Sequence, residues 1–167
     1  MEYLKERGLN GETIEEFDLG FAAGGERLML QLLNQGYDIS DISRAGLASK
    51  NENNLYRDKF YRRIIFPIFN SLGKIVAFTG RIMPGEERDG VPKYLNSPET
   101  PIFSKSKILY GFHMAKNEIA KSRAAFLVEG QMDFLMAWQS GVKNAIAVSG
   151  TALTTYHLER LRRVADS

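Results

Sequence analysis

Residues 124–154 read AAFLVEGQMDFLMAWQSGVKNAIAVSGTALT and predict a β-α-β unit. An apolar run over residues 124–128 ends abruptly at Glu129, and a second run over residues 145–148 closes on Ser149-Gly150-Thr151. Between them, apolar residues recur at helical spacing, at Met132, Leu135 and Met136. In open α/β sheets, ligands bind just past the carboxyl ends of the strands. Glu129 is therefore a candidate for divalent-metal or phosphate chemistry. The alternative is that Glu129 is only a negative charge at a helix N-terminus, where it stabilises the helix dipole.

Composition places the chain among ordinary globular proteins of one domain or two small ones, with 167 residues, 44% hydrophobic and 25% charged. No stretch approaches the roughly 18 to 20 apolar residues of a membrane span, and no signal peptide is visible. We therefore expect a cytoplasmic location and no membrane partner. The absence of cysteine excludes disulfides, thiolate zinc sites and cysteine nucleophiles. The two histidines, His113 and His157, lie far apart in helix-like segments, which favours packing roles over metal ligation.

Positive charge is concentrated in the middle of the chain. Residues 57–123 hold 13 Lys and Arg against 6 Asp and Glu, whereas the remainder holds 9 against 14. A basic segment of this kind is typical of proteins that contact phosphates. The alternative is a solvated surface without a specific ligand.

Local patterns predict the elements around this segment. Helices are expected over residues 12–17, 26–34, 38–45, 112–121 and 154–165. Aromatic and β-branched residues over 60–69 and 74–83 predict a β-hairpin around a turn at 70–73. Pro67 should restrict its strand to an edge or to the strand end. Residues 92–105 contain three prolines and several apolar residues, which indicates an ordered, irregular segment that could present a ligand surface.

Four stretches resemble the RNA-polymerase core of bacterial replicative primases of the DnaG type. They are residues 3–9 with 12–17, residues 63–68 with Gly80-Arg81, the run KYLNSPET at 93–100, and EGQMD at 129–133 with GTALT at 150–154. The ungapped run of eight residues is the most specific of them. The last pair is similar to the opening of the Toprim fold in that family.

This resemblance implies DNA-directed synthesis of RNA primers, by nucleotidyl transfer of ribonucleotides on a single-stranded DNA template. Glu129 would bind a divalent metal, Mg²⁺ or Mn²⁺, or handle the proton of the attacking 3′-hydroxyl. Asp133, one helical turn later, would support the metal from outside its ligand shell, or else act only as a helix N-terminal charge. The resemblance also implies residues that contact the DNA strand, the RNA–DNA hybrid or the ribonucleoside triphosphates: Arg63, Arg81, Lys93, Tyr94, Asn96, Lys105 and Lys107.

The fold class implied is an α+β N-terminal subdomain, followed by the first β-α-β-α part of an α/β, Rossmann-like Toprim fold. We expect the first over residues 1–122 and a truncated Toprim domain over 123–167. Zinc is expected only in a module that precedes the core in this family, and a replicative helicase would bind a region beyond the C-terminus. An Asp-x-Asp element that should supply most metal ligands is expected after Ser167, so this chain alone should make no primers.

Two other classes of function remain open from the sequence. The chain could be a single-stranded nucleic-acid-binding module in which Glu129 is structural. It could also belong to another Toprim protein, of the topoisomerase or recombination-mediator type, although these lack an element like residues 93–100.

Overall fold

The computed structural model describes residues 2–150 and 152–167, which contain helices, short strands and one 3₁₀ turn. The α-helices are α1 (Glu2–Glu6), α2 (Gly11–Glu16), α3 (Arg27–Asn34), α4 (Ile39–Arg44), α5 (Phe112–Ser122), α6 (Gln131–Gln139) and α7 (Thr155–Leu161). The strands are β1 (Gly20–Ala22), β2 (Ala48–Lys50), β3 (Tyr56–Asp58), β4 (Arg63–Phe69), β5 (Ile75–Ile82), β6 (Tyr94–Asn96), β7 (Phe126–Val128) and β8 (Ala145–Ala147). The 3₁₀ turn is Lys105–Lys107.

The described residues form two compact units. The first contains residues 19–67 and 77–101, and the second contains residues 2–18, 68–76 and 102–167. The β4–β5 hairpin contributes its base to the first unit and its tip to the second. The mixed α+β fold class is as predicted from the sequence.

The first unit contains a four-stranded sheet of order β1-β4-β5-β6 and a separate β2–β3 hairpin. β4 is an interior strand, but its pairing with β1 covers only Arg63 to Ile65, so Pro67 lies beyond the paired part. Helices α3 and α4 pack on β2 through a small core of Met29, Ile42 and Ala48. The buried Asp58 carboxylate accepts hydrogen bonds from the amides of Leu28 and Met29 and so caps the start of α3.

The second unit contains the predicted β-α-β unit. Strands β7 and β8 pair in parallel, with Phe126 opposite Ala145 and Val128 opposite Ala147, and α6 connects them. The core beside this pair is aromatic, because Phe134 makes edge-to-face contacts with both Phe17 and Tyr110. The segment that leads into β7 is bonded to the C-terminal residue, since Ser167 donates to the Arg123 carbonyl and accepts from the Ala125 amide. These two bonds have the pattern of a parallel pair.

Several predicted boundaries are confirmed and others are corrected. The helices expected over 12–17, 26–34, 38–45 and 112–121 are present as α2, α3, α4 and α5. The helix expected over 154–165 ends earlier, at Leu161, and Thr154 caps its start by accepting a hydrogen bond from the His157 amide. The segment over 92–105 contains a strand, β6, where we expected only irregular backbone. Among the described residues, none of the helices has the length and apolar character required to cross a membrane.

Candidate active site and nucleic-acid interface

Glu129 lies directly after β7, at the carboxyl end of the parallel pair. Its neighbour Gly130 is the N-cap of α6, and the Glu129 side chain is exposed. Because β7 and β8 are parallel, the loop that follows β8 begins at the same edge of the sheet. That loop contains two successive left-handed residues, Ser149 (φ 56°) and Gly150 (φ 74°). Thr151, part of the turn predicted at this position, lies outside the described residues.

Asp133 occupies the third position of α6 and points back to its start. One carboxylate oxygen accepts a hydrogen bond from the Gly130 amide at 3.2 Å, which satisfies one of the backbone donors at the start of the helix. This contact is the helix N-terminal role that we set out as the alternative for Asp133. Its support of a metal site stays a prediction.

The described residues fit a divalent metal only in part. Over residues 2–150 and 152–167 there is no group of three or more histidine or acidic side chains close enough together to hold a metal ion. A hard cation such as Mg²⁺ takes about six oxygen ligands and leans on one or two carboxylates plus substrate phosphates. Glu129 could supply one such carboxylate, and further oxygen ligands would have to come from substrate, water or other residues.

Two of the predicted nucleic-acid-binding lysines belong to the second unit. Lys105 and Lys107 lie in the 3₁₀ turn, and the Ser106 carbonyl between them accepts a hydrogen bond from the Thr154 hydroxyl at 2.8 Å. This bond ties the 3₁₀ turn to the start of α7. The Lys107 ammonium lies 5.7 Å from the centre of the exposed Tyr156 ring. A cation near an aromatic face suits contact with phosphates and bases.

Both histidines have packing roles, as the sequence indicated. The His113 ring stacks on Phe69, with 4.4 Å between ring centres. His157 is fully buried at the third position of α7, where its ring accepts a hydrogen bond from the Thr154 amide. Burial lowers the pKa of both histidines below the ordinary value.

The first unit brings together three of the predicted nucleic-acid-binding residues, on β5 and β6. Arg81 lies opposite Tyr94, and Thr79 lies opposite Asn96, in the antiparallel register of the two strands. The Arg81 guanidinium donates to the Tyr94 hydroxyl at 3.0 Å and lies 5.5 Å from the centre of its ring. Arg81 is 7% exposed and Tyr94 39% exposed, so the arginine supports a ring that is open to solvent.

Sequence reasoning missed the role of Thr79. Its hydroxyl donates to the Asn96 side-chain oxygen at 2.6 Å, and this leaves the Asn96 amide nitrogen as the group that can donate to a ligand. The signal available was the alternation of polar residues at Thr79 and Arg81 on β5. This alternation indicates contact between Thr79 and Asn96 only if β6 is known to pair with β5.

Arg63 differs from the other predicted contact residues because its side chain is buried. It is 4% exposed, and its guanidinium donates to the carbonyls of Gly80, Pro92 and Lys93. Lys93 itself is exposed. Direct contact of Arg63 with nucleic acid therefore stays a prediction, and the geometry shows a role in holding the segment that carries Lys93.

The sequence of this chain is similar to those of known DNA primases. Residues 1–116 match the family model of the DNA primase catalytic core, N-terminal domain, and residues 123–167 match a Toprim domain model. The chain is 43% identical to a DNA primase of Enterococcus faecalis, over 99% of this chain and 27% of that protein. It thus spans about a quarter of the length of the curated relatives it matches. The match over residues 1–116 overturns the alternative of a topoisomerase or recombination-mediator protein.

The fold of this chain is similar to those of solved DNA primase structures. The RNA polymerase domain of Mycobacterium tuberculosis primase DnaG superposes with a TM-score of 0.90 at 34% identity, covering 99% of this chain and 53% of that one. A DnaG primase catalytic domain bound to single-stranded DNA superposes with a TM-score of 0.84 at 35% identity, covering 99% of this chain and 50% of that one.

Proposed function

We propose that this chain, which belongs to the DNA primase catalytic core family, is the part of a longer primase that binds the DNA template and begins the Toprim fold. The activity of the longer protein would be DNA-directed synthesis of RNA primers by nucleotidyl transfer. The observation that carries the proposal is the pair of Arg81 and Tyr94, in which a buried cation supports an exposed aromatic ring on a strand. A ring held in this way can stack on bases of any sequence, as a primase template site requires.

Other predicted residues could contact nucleic acid beside the Arg81–Tyr94 pair. Lys93 is exposed next to Tyr94 and can neutralise a phosphate, while Asn96 can donate from its amide nitrogen. In the second unit, Lys105 and Lys107 are proposed to contact phosphates of the template, the RNA–DNA hybrid or the incoming ribonucleoside triphosphate. The basic character of residues 57–123 supports a ligand of this charge.

Glu129 is proposed as the carboxylate that takes part in chemistry. Its place after a parallel strand supports binding of Mg²⁺ or Mn²⁺ or proton transfer from the 3′-hydroxyl. Asp133 would act by holding the start of α6, on which the position of Glu129 depends. Since the described residues offer only part of a metal site, we propose that the 167-residue chain binds nucleic acid but makes no primers by itself.

Three further points belong to the same proposal. We place the boundary between the N-terminal subdomain and the Toprim part at residues 122–123, supported by family matches to 1–116 and 123–167. The longer protein would act in the cytoplasm. A replicative helicase and a zinc-binding module would be partners or parts of that longer protein.

Salt-dependent binding tests the template site. Fluorescence anisotropy of labelled single-stranded DNA should give an affinity that falls linearly with salt on a log–log scale, and Lys93→Ala should reduce the slope by about 0.7. Tyr94→Ala should weaken binding about tenfold, whereas Tyr94→Phe keeps the stacking ring and should have a small effect. Lys50→Ala, an exposed lysine of the same unit, is the matched control. An unchanged slope in Lys93→Ala would contradict the assignment.

Primer synthesis tests the role of Glu129. In the longer protein, Glu129→Gln should abolish synthesis with Mg²⁺ or Mn²⁺ and leave binding of single-stranded DNA unchanged. Robust synthesis by the Glu129→Gln protein would refute the proposed role of Glu129. Robust synthesis by the 167-residue chain would refute the proposal that this chain makes no primers by itself.

A further inference from the structure

The Arg63 side chain is a buried cation whose donors are directed at backbone. One terminal nitrogen donates to the Gly80 carbonyl at 2.9 Å and to the Lys93 carbonyl at 3.3 Å. The other donates to the Pro92 carbonyl at 3.0 Å. Among the described residues, no carboxylate forms a salt bridge with it. All three acceptors belong to the first unit, and two of them belong to the segment that leads into β6.

The Pro92 and Lys93 carbonyls lie at the end of an irregular segment. Residues 83–93 contain no helix or strand, and proline has no amide hydrogen with which to join a ladder. The Lys93 carbonyl accepts from the Ile82 amide at 2.9 Å, so it is shared between β5 and Arg63. Arg63 thus fixes the backbone immediately before Tyr94 at the point where the irregular segment becomes a strand.

The neighbouring sequence provides the space for this contact. A β-carbon at Gly80 would lie 2.6 Å from the Phe60 ring and 2.9 Å from the Arg63 δ-carbon. Separations below about 3 Å do not occur without rearrangement, so a side chain at Gly80 would displace the arginine. The position of the Arg63 side chain therefore depends on Gly80, because the lack of a side chain at Gly80 leaves room for the arginine.

We propose that Arg63 is a positioning residue for the template site: it holds the carbonyls of Pro92 and Lys93 so that Lys93 and Tyr94 are presented to nucleic acid, and it does not contact the ligand. This inference rests on the proposed function for its effect on binding, but the hold on the backbone is independent of any ligand. An arginine that contacts phosphate would need an exposed guanidinium, whereas this one is 4% exposed and already donates to three acceptors.

Arg63→Lys separates the two roles. Lysine neutralises a phosphate as arginine does, but its donors spread from a single nitrogen and cannot reproduce the planar fork that reaches separate carbonyls. The positioning role predicts that Arg63→Lys binds single-stranded DNA roughly tenfold more weakly, a loss in the range for one stacked base. Arg57→Lys, an exposed arginine of the same unit, should bind like wild type. Wild-type affinity of Arg63→Lys would overturn the proposal.

A double-mutant cycle gives the second readout. If Arg63 acts through Lys93 and Tyr94, then adding Arg63→Lys to the Lys93→Ala/Tyr94→Ala protein should cause no further loss of affinity. If Arg63 contacts nucleic acid itself, the effects should multiply, and the proposal is wrong.

Hydrogen exchange provides a readout without nucleic acid. The Ile82 amide, which donates to the Lys93 carbonyl, should exchange at least about tenfold faster in Arg63→Lys than in Arg57→Lys. An unchanged exchange rate of the Ile82 amide would contradict the claim that Arg63 fixes the backbone of Pro92 and Lys93. This outcome does not depend on whether the chain binds DNA. Should Arg63→Lys fail to fold, Arg63→Met keeps the aliphatic stem without a buried charge and carries the double-mutant cycle and the hydrogen-exchange measurement.

Discussion

Gly111 supports the second unit in a way that can be measured. It has φ 79° at the start of α5, and a β-carbon there would lie 2.2 Å from the Phe134 ring. Gly111→Ala should incur backbone strain of about 1 to 2 kcal/mol from the left-handed conformation. Displacement of the buried Phe134 should add overpacking of about 1 to 3 kcal/mol. The free energy of unfolding should therefore fall by about 2 to 5 kcal/mol.

Urea unfolding followed by tryptophan fluorescence is the appropriate assay. Trp138 is the sole tryptophan, and its ring contacts Phe17 and Phe134 at 5.6 and 5.8 Å between ring centres, so its emission reports on this core. Two other glycines separate the causes. Gly141 has a left-handed φ of 93°, but a β-carbon there would have no atom nearby. Gly141→Ala should therefore lower the free energy of unfolding only by the backbone strain, about 1 to 2 kcal/mol.

Gly11→Ala meets neither constraint, and at the first position of α2 it should change stability by no more than about 1 kcal/mol, in the stabilising direction. If Gly111→Ala costs no more than Gly141→Ala, the packing of Phe134 against Gly111 does not constrain the core and the reasoning fails.

Two further predictions concern buried polar groups. Because burial lowers the pKa of His157 from its ordinary 6.5, the unfolded chain binds the proton more strongly. The stability that depends on a neutral His157 should therefore be fully present above about pH 6.5 and should decline as the pH falls below this value. His157→Gln should flatten the decline in the free energy of unfolding measured between about pH 7 and 5. Asp58→Ala should cost about 3 kcal/mol or more, since two amide hydrogen bonds to a buried carboxylate are lost. Asp58→Asn keeps an acceptor and should lose less, and equal losses in a urea titration would contradict the charge contribution.

The parts of the fold predicted correctly are those with strong local signals. The β7-α6-β8 unit follows from two apolar runs, each ended by glycine within two residues. Strand β6 was missed because three residues are too few to show alternation, and prolines lie on both sides. Its existence depends on pairing with β5, which the local sequence does not encode.

The same distinction applies to the candidate site. Glu129 could be found because its position depends on the strand immediately before it. The burial of Arg63 could not, because its acceptors lie 17 to 30 residues away in the chain. Residue type alone indicates a cation near phosphate, whereas the three-dimensional neighbours decide whether that cation faces the ligand or the backbone. The contacts assigned to Arg81, Lys93 and Tyr94 stay predictions until binding is measured.

The second unit has a consequence for how the protein folds during synthesis. The Trp138 indole donates to the Glu16 carboxylate across 122 residues of sequence, and Phe17 contacts the same ring. At about 5 to 20 residues per second, α2 leaves the ribosome roughly 6 to 24 s before the partner that buries it. During this interval Phe17 lacks the Phe134 and Trp138 rings that it contacts in the folded chain. The aromatic core around Phe17 can therefore be completed only after α6 has been synthesised.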